Sequence, residues 1–213
     1  VNPLEIVEKQ GADPLRLFLV SVAAPDSDFN WDDKGVSSTN KFLTRLKNYF
    51  DNVTIKNSTK KTESKLNTSI QKITEDIENM RYNLAVIKLR ELFEYLNKEE
   101  SKQTLESFLI MLNPFCPHIT EEIWHNIGNK TFISDEQWPK CDKSKINPEF
   151  EIMDTMLNKL FADIKNIQEL AKKDSLKKIT LFIAEEWKYQ LYDLLSKEIK
   201  QVKNPKELIG KVM

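Results

Sequence analysis

Leu66, Ile70, Ile73, Ile77 and Met80 recur at steps of four, three, four and three residues, which lines them along one face of an α-helix and predicts a helix over residues 63–80. Asn83 then stands where it can cap a second helix, whose apolar face is Ile87, Leu89, Leu92, Phe93 and Leu96 and which ends at the charged break 97–100. Ser101 is a cap for a third, carrying Leu105, Phe108, Leu109 and Leu112 as far as Pro114. Pro117 starts a fourth, with Ile119, Ile123, Trp124 and Ile127 before a stop at Gly128. Four helices with short joints pack as antiparallel neighbours, so the pattern predicts a helical bundle.

The flanks are less regular. Asn2-Pro3 with Glu5 signals a capped helix that Gly11 ends, and Asp13-Pro14 repeats the start signal for a second short helix. Ala24-Pro25 breaks the pattern, and the acidic stretch 26–33 connects to a longer helix that begins after Lys34-Gly35 and bears Val36, Phe42, Leu43, Leu46, Tyr49 and Phe50. Residues 51–64, rich in Asn, Ser, Thr and Lys, are expected to form a mobile connection. Downstream, 131–146 is irregular, with Trp138-Pro139 docking an aromatic ring on the bundle, and Phe150 to Leu170 marks one long amphipathic helix. Residues 178–184, KITLFIA, have the composition of a strand, followed by a helix with Trp187, Leu191, Leu194, Leu195 and Ile199, and Asn204-Pro205 opens another. A lone strand has no ladder partner, so this last region is expected to be incomplete. The fold class that follows is mainly α, a helical bundle with a small C-terminal α+β region, in segments 1–50, 51–147 and 148–213.

Composition narrows the function. The 213 residues are 40% hydrophobic and 31% charged with only 4 Gly, which suits helices laced with surface charge and can supply a real core. A net charge of -1 excludes a uniformly basic nucleic-acid binder, so any polyanion site depends on where the charges sit. Cys116 and Cys141 have neither disulfide nor zinc spacing, and no apolar run is long enough to span a bilayer, which favours a reducing, cytoplasmic setting with no membrane partner. His118 lacks the second His of a zinc helix, and Pro114 and Pro117 beside it point to a helix start that the imidazole anchors through a carbonyl. Asp26, Asp28, Asp32 and Asp33 lack the glycine and terminal Glu of a calcium loop and read as a stiffened turn with Trp31 tucked inward. Trp124, Trp138 and Trp187 stand at apolar positions or beside Pro and are expected in the core.

Lys41, Arg45, Lys47, Lys56, Lys60, Lys61 and Lys65 form the most basic neighbourhood, interrupted only by Asp51 and Glu63. Taken alone, such a run is a solvated face. Arg81 and Arg90 are equally readable as RNA contacts or as partners of Glu78 and Glu94, and Asn83 as a helix cap.

Particular strings add to this. GADPLRLFLVSVAAPDSDFNWDD, from Gly11, resembles the segment after the Lys-Met-Ser-Lys-Ser loop of class I aminoacyl-tRNA synthetases, in the leucyl-tRNA synthetases of the archaeal and eukaryotic type. ENMRYNLAVIKLRELFEYL, from Glu78, and SFLIMLNPFCPHITEEIW, from Ser107, resemble the bundle motifs of that class, with Asn83, Pro114, Pro117, His118 and Trp124 at motif positions. Trp138-Pro139 falls where the family carries that pair, and KKITLFIAEEWKYQLYDLL, from Lys177, resembles the leucyl C-terminal region. The resemblance implies an anticodon-binding-type bundle that grips and orients tRNA(Leu), joined in its parent chain to catalytic and editing domains. It implies no cofactor within these residues, ATP as the substrate of the full-length enzyme, and no catalytic residue here. The chain opens without an initiator Met inside patterned helix and is expected to be an inactive piece of that ligase. In this light Lys41, Arg45, Lys47, Lys60, Lys61, Arg81 and Arg90 become candidate tRNA contacts. The alternatives are the same region of an isoleucyl, valyl or methionyl enzyme, or a non-catalytic helical interaction module.

Overall fold

The computed structural model describes residues 2–172, 175 and 178–199, with side chains up to 193. Two compact units, 1–156 and 157–213, divide the chain, and each is described by itself.

The first unit holds the bundle. Helix α1 (Pro3–Gln10) starts as its sequence predicts, with the Asn2 side chain accepting the Leu4 N–H, Pro3 at the first position and a turn through Gly11 at φ 90°. Helix α2 (Ala12–Val22) departs from expectation: Gly11 is its cap and Asp13 lies one residue inside, buried and committed elsewhere. Helix α3 (Asp33–Asn52) is capped by Asp32 and begins before Gly35 instead of after it. Gly35 is required within that first turn, because a Cβ there would stand 2.3 Å from a Phe18 ring carbon. Helix α4 (Lys60–Glu78) is capped by Thr59, so the connection expected over 51–64 is short, and β1 (Thr54–Ile55) within it pairs in parallel with β2 (Glu99–Glu100).

Helix α5 (Tyr82–Tyr95) corrects the reading of Asn83, which sits inside the first turn with its Oδ1 buried and without a hydrogen-bond partner, while Arg81 occupies the cap position. The turn from α4 is closed instead by Met80 in the left-handed region, φ 56°, and by the Arg81 N–H donating to the Asp76 carbonyl at 2.7 Å. Helix α6 (Lys102–Leu112) is capped by Ser101 as the sequence indicates, through the Thr104 N–H. Helix α7 (Pro117–Asn126) starts at Pro117 and is followed by Gly128 at φ 95°.

The predicted apolar faces meet in one core, except at Met80, which lies beyond the end of α4, and Ile87, both of which stand exposed. Leu46, Ile73, Leu89, Leu92, Leu105, Phe108, Leu109 and Ile123 are fully buried, with Phe50, Phe93 and Phe108 rings in contact at its centre. Trp124 is buried and donates to the Thr131 carbonyl at 2.9 Å, and Trp138 docks half-buried with its Nε1 donating to Thr74 Oγ1 at 2.8 Å, so 131–146 is held down without regular helix. Trp31 is half-buried edge-on to Phe18 and donates to Asp33. Helix α8 (Pro148–Leu170) enters this unit with its first turns, where Asp154 accepts from Lys61 at 2.5 Å and from the Tyr95 hydroxyl at 2.6 Å.

The second unit holds the rest of α8 and helix α9 (Glu186–Ile199). Residues 178–184 form no strand, and Phe182 and Ile183 stand exposed. The strand composition is present, but no described segment offers a ladder to pair with, and unpaired backbone turns to solvent instead. The small β element of the fold is therefore β1–β2 inside the bundle and not the C-terminal strand that was expected. Trp187, expected in a core, is more than half exposed. The further helix at Asn204-Pro205 lies outside the described residues.

Candidate nucleic-acid interface

Helix α3 gathers part of the basic neighbourhood. Its core side is Val36, Thr39, Phe42, Leu43, Leu46 and Phe50, all buried, which turns Lys34, Lys41, Arg45 and Asn48 outward. Lys34 and Lys41 form no ion pair among the described residues and stand exposed on this ridge. Arg45 lies on the flank facing α5 and is paired with Glu94 while its guanidinium rides 5.4 Å over the Phe93 ring. Lys47 lies on the opposite flank, 2.6 Å from Glu122 of α7, and that carboxylate raises its pKa above the ordinary lysine value.

At the start of α4 the candidates split. Lys60 is exposed with no ion pair among the described residues, whereas Lys61 is held by Asp154 and, with Lys65, flanks the Tyr95 ring at 5.4 and 4.8 Å. Burial, helped by Asp154, pushes the Tyr95 hydroxyl up to about 12. Burial works against the Asp154 carboxylate, but its bonds to Lys61 and Tyr95 outweigh that and hold its pKa below the ordinary 3.8.

Arg81, at the cap of α5, and Arg90, within it, sit apart from this ridge. Arg81 pairs with Asp76 at 3.0 Å and Glu75 at 3.2 Å, and Lys88 takes the other Asp76 oxygen, so a buried carboxylate ties the α4–α5 turn to the body of α5. Glu78, the expected partner, is not involved. Arg90 is half-buried between α5 and α3, with its guanidinium 4.9 Å over Phe42, a 3.4 Å bond to Thr39 and an unpartnered Nε. Burial lowers its pKa from the ordinary arginine value.

The motif around His118 is built differently from the expectation. His118 Nδ1 lies 2.9 Å from Asp13, not from a carbonyl, and the second Asp13 oxygen accepts the Ile119 N–H at 2.7 Å. Asp13 therefore caps α7 from across the bundle, an anion at the positive end of that helix. Arg16, one turn on, donates to the Pro114 carbonyl at 3.2 Å, so α2 grips both sides of the α6–α7 corner. Burial in this corner pushes the Cys116 thiol well above its ordinary range, which suits packing and not reactivity. Sequence reasoning missed Asp13 because Asp-Pro is also a local start signal; it gave Glu94 to Arg90 of the same helix, where the structure gives it to Arg45, and it missed the pairing of Glu122 with Lys47, because nothing in a carboxylate's own helix marks a partner on another.

This architecture has a match. Residues 59–181 fit the family model described as the anticodon-binding domain of tRNA ligases, which covers more than half of the chain. The chain belongs to that family. Its relatives include the leucine–tRNA ligase of Thermosipho melanesiensis, 37% identical over 68% of this chain and 21% of that protein, and that of Petrotoga mobilis, 34% identical over 100% of this chain and 29% of that protein. The chain thus spans less than a third of the length of these relatives. The fold is also that of the Agrobacterium radiobacter K84 agnB2 LeuRS, solved in a ternary LeuRS–tRNA–LeuAMS complex, with a TM-score of 0.59, 23% identity and coverage of 69% of this chain and 22% of that one.

Proposed function

We propose that this chain is the tRNA-gripping portion of a leucine–tRNA ligase, holding tRNA(Leu) so that its acceptor end reaches a catalytic domain elsewhere in the parent protein. Family membership and the two ligase relatives support the reading. The observation that carries it is the outward ridge of α3, where Lys34 and Lys41 are open to solvent and Arg45 and Lys47 mark the two flanks. Ammonium groups spaced along an exposed helix follow phosphates; they contribute affinity without reading bases. Lys60 and Lys61 extend the same role at the start of α4, and Arg81 and Arg90 are further contacts apart from the ridge, Arg81 exposed but paired with Asp76 and Glu75, and Arg90 half-buried over Phe42.

The chemistry belongs to the whole ligase. ATP and leucine would be handled by its catalytic domain, mischarged tRNA by its editing domain, in the cytoplasm, and the contribution of this portion is placement: a misaligned ribose hydroxyl forfeits the proximity advantage of the bound state. No described helix is long and apolar enough to cross a membrane.

Fluorescence anisotropy with labelled tRNA(Leu) tests the reading. Binding is expected in low salt and falls steeply as salt rises, and Lys41→Gln flattens the logarithmic salt slope by about one. Preference for isoleucine or valine tRNA in competition would remove the leucine assignment, and salt-insensitive indifference to all tRNAs would remove RNA binding altogether.

A further inference from the structure

The cations of α3 are not simply displayed, because two of them already hold an anion. Arg45 is met by Glu94, 49 residues away on α5, and Lys47 by Glu122, 75 residues away on α7. Both pairs are solvated, with side-chain exposures of 59% and 62% in the first and 45% and 52% in the second. Exposed pairs of this kind add little to folding. Their effect falls on whatever else approaches the ridge.

The geometry points to Glu94 and Glu122 as specificity-determining residues that stand where RNA phosphates would otherwise be taken up. The inference rests on the tRNA-binding reading above and deepens it. A carboxylate and a phosphate oxygen compete for the same guanidinium fork or ammonium, so a phosphate arriving at Arg45 or Lys47 must displace the resident anion. A polyanion of arbitrary shape gains only one contact for that exchange. An RNA whose backbone also runs along Lys34 and Lys41 gains the open contacts together with the exchanged ones. Between these flanks the ridge favours a backbone of matching course over polyanions in general, and specificity arises from making the wrong partner costly. Arg45 gives the sharper case: the Phe93 ring beneath it keeps the guanidinium in place, so removal of the Glu94 carboxylate leaves the cation positioned and unoccupied.

Glu94→Gln and Glu122→Gln, each measured by anisotropy against tRNA(Leu) and against a single-stranded uridine homopolymer, test this. Glu91→Gln serves as the control, since Glu91 lies on the same α5, is exposed and has no ion pair among the described residues, and the substitution changes net charge equally. Glu94→Gln is expected to tighten tRNA binding roughly threefold to tenfold and to steepen the salt slope by about one, with a larger gain for the homopolymer, so that the ratio between the two RNAs shrinks. Glu122→Gln moves both in the same direction by less, and Glu91→Gln stays within about twofold. If both paired variants behave like Glu91→Gln, or bind more weakly than the parent, the inference is overturned while tRNA binding stands. If the parent chain fails to bind tRNA at any salt, the underlying reading falls and this one with it. Thermal unfolding of each variant confirms that affinity is compared between folded proteins.

Discussion

Asp13 and Glu94 are both carboxylates that reach across the bundle to a distant helix, yet their surroundings give them opposite uses. Asp13 is 5% exposed, and its two oxygens satisfy a backbone N–H at the start of α7 and a ring nitrogen of His118. Little water competes for the carboxylate there, so the contact is strong and its loss would orphan a donor. Glu94 and its partner Arg45 are mostly in solvent, where hydration and salt cancel much of their attraction. The first pair holds the fold. The second is free to be exchanged, which is what a phosphate-binding ridge needs, and the contrast comes from burial and not from the residue types.

The strongest way to break this comparison is Asp13→Ala. It removes a cap from a distant helix and leaves the Ile119 N–H unpaired, and the expected cost is about 2 kcal/mol in denaturant unfolding. Asp13→Asn keeps an acceptor and should recover roughly half of that. A cost near zero would mean that α2 does not anchor α7.

Asp154 stands between the two extremes, and pH sharpens its place. Its folded pKa lies below the ordinary 3.8, held down by Lys61 and Tyr95 against burial. The sign follows from that depression: its contribution is fully present above the unfolded value and is lost as pH falls through the lower, folded one. Acid titration of stability in the parent and in Asp154→Asn should therefore converge below that range, with the parent more stable at neutral pH. Parallel curves down to the lowest pH would show that Asp154 has no such role.

The smallest expected effect is on the stability of Glu94→Gln, within about 0.5 kcal/mol of the parent. A larger loss would place Glu94 with Asp13 among the contacts that hold the fold, and Arg45→Gln combined with Glu94→Gln in a double-mutant cycle would then measure the coupling directly.

Much of the bundle was legible along the chain. The stripe from Leu66 to Ile77, the Ser101 cap and Pro117 at the first position of α7 all act within one or two helical turns, and each stands in the structure as the pattern indicated. The misreadings share a cause. Asn83 and Asp13 are residues that cap their own helix in most settings, but here Asn83 is inside the first turn of α5, past a turn closed by Met80 and Asp76, and Asp13 serves a helix more than a hundred residues downstream. Residues 178–184 have strand composition without a strand to pair with, and composition carries no information about partners. The basic neighbourhood was visible as a list of lysines and arginines, although which of them are occupied depends on Glu94, Glu122, Asp154 and Asp76, all contributed by other segments.

By itself, then, the order of residues determined the helices, their apolar faces and the presence of enough positive charge on α3 to interest a polyanion, because periodicity, caps and side-chain direction are local properties of a chain. Only the tertiary structure decided which carboxylate meets which cation, that Asp13 is dry and Glu94 wet, and hence which contacts hold the bundle and which remain open to exchange. An ion pair takes its strength from the water around it, and that depends on the segments that fold over it.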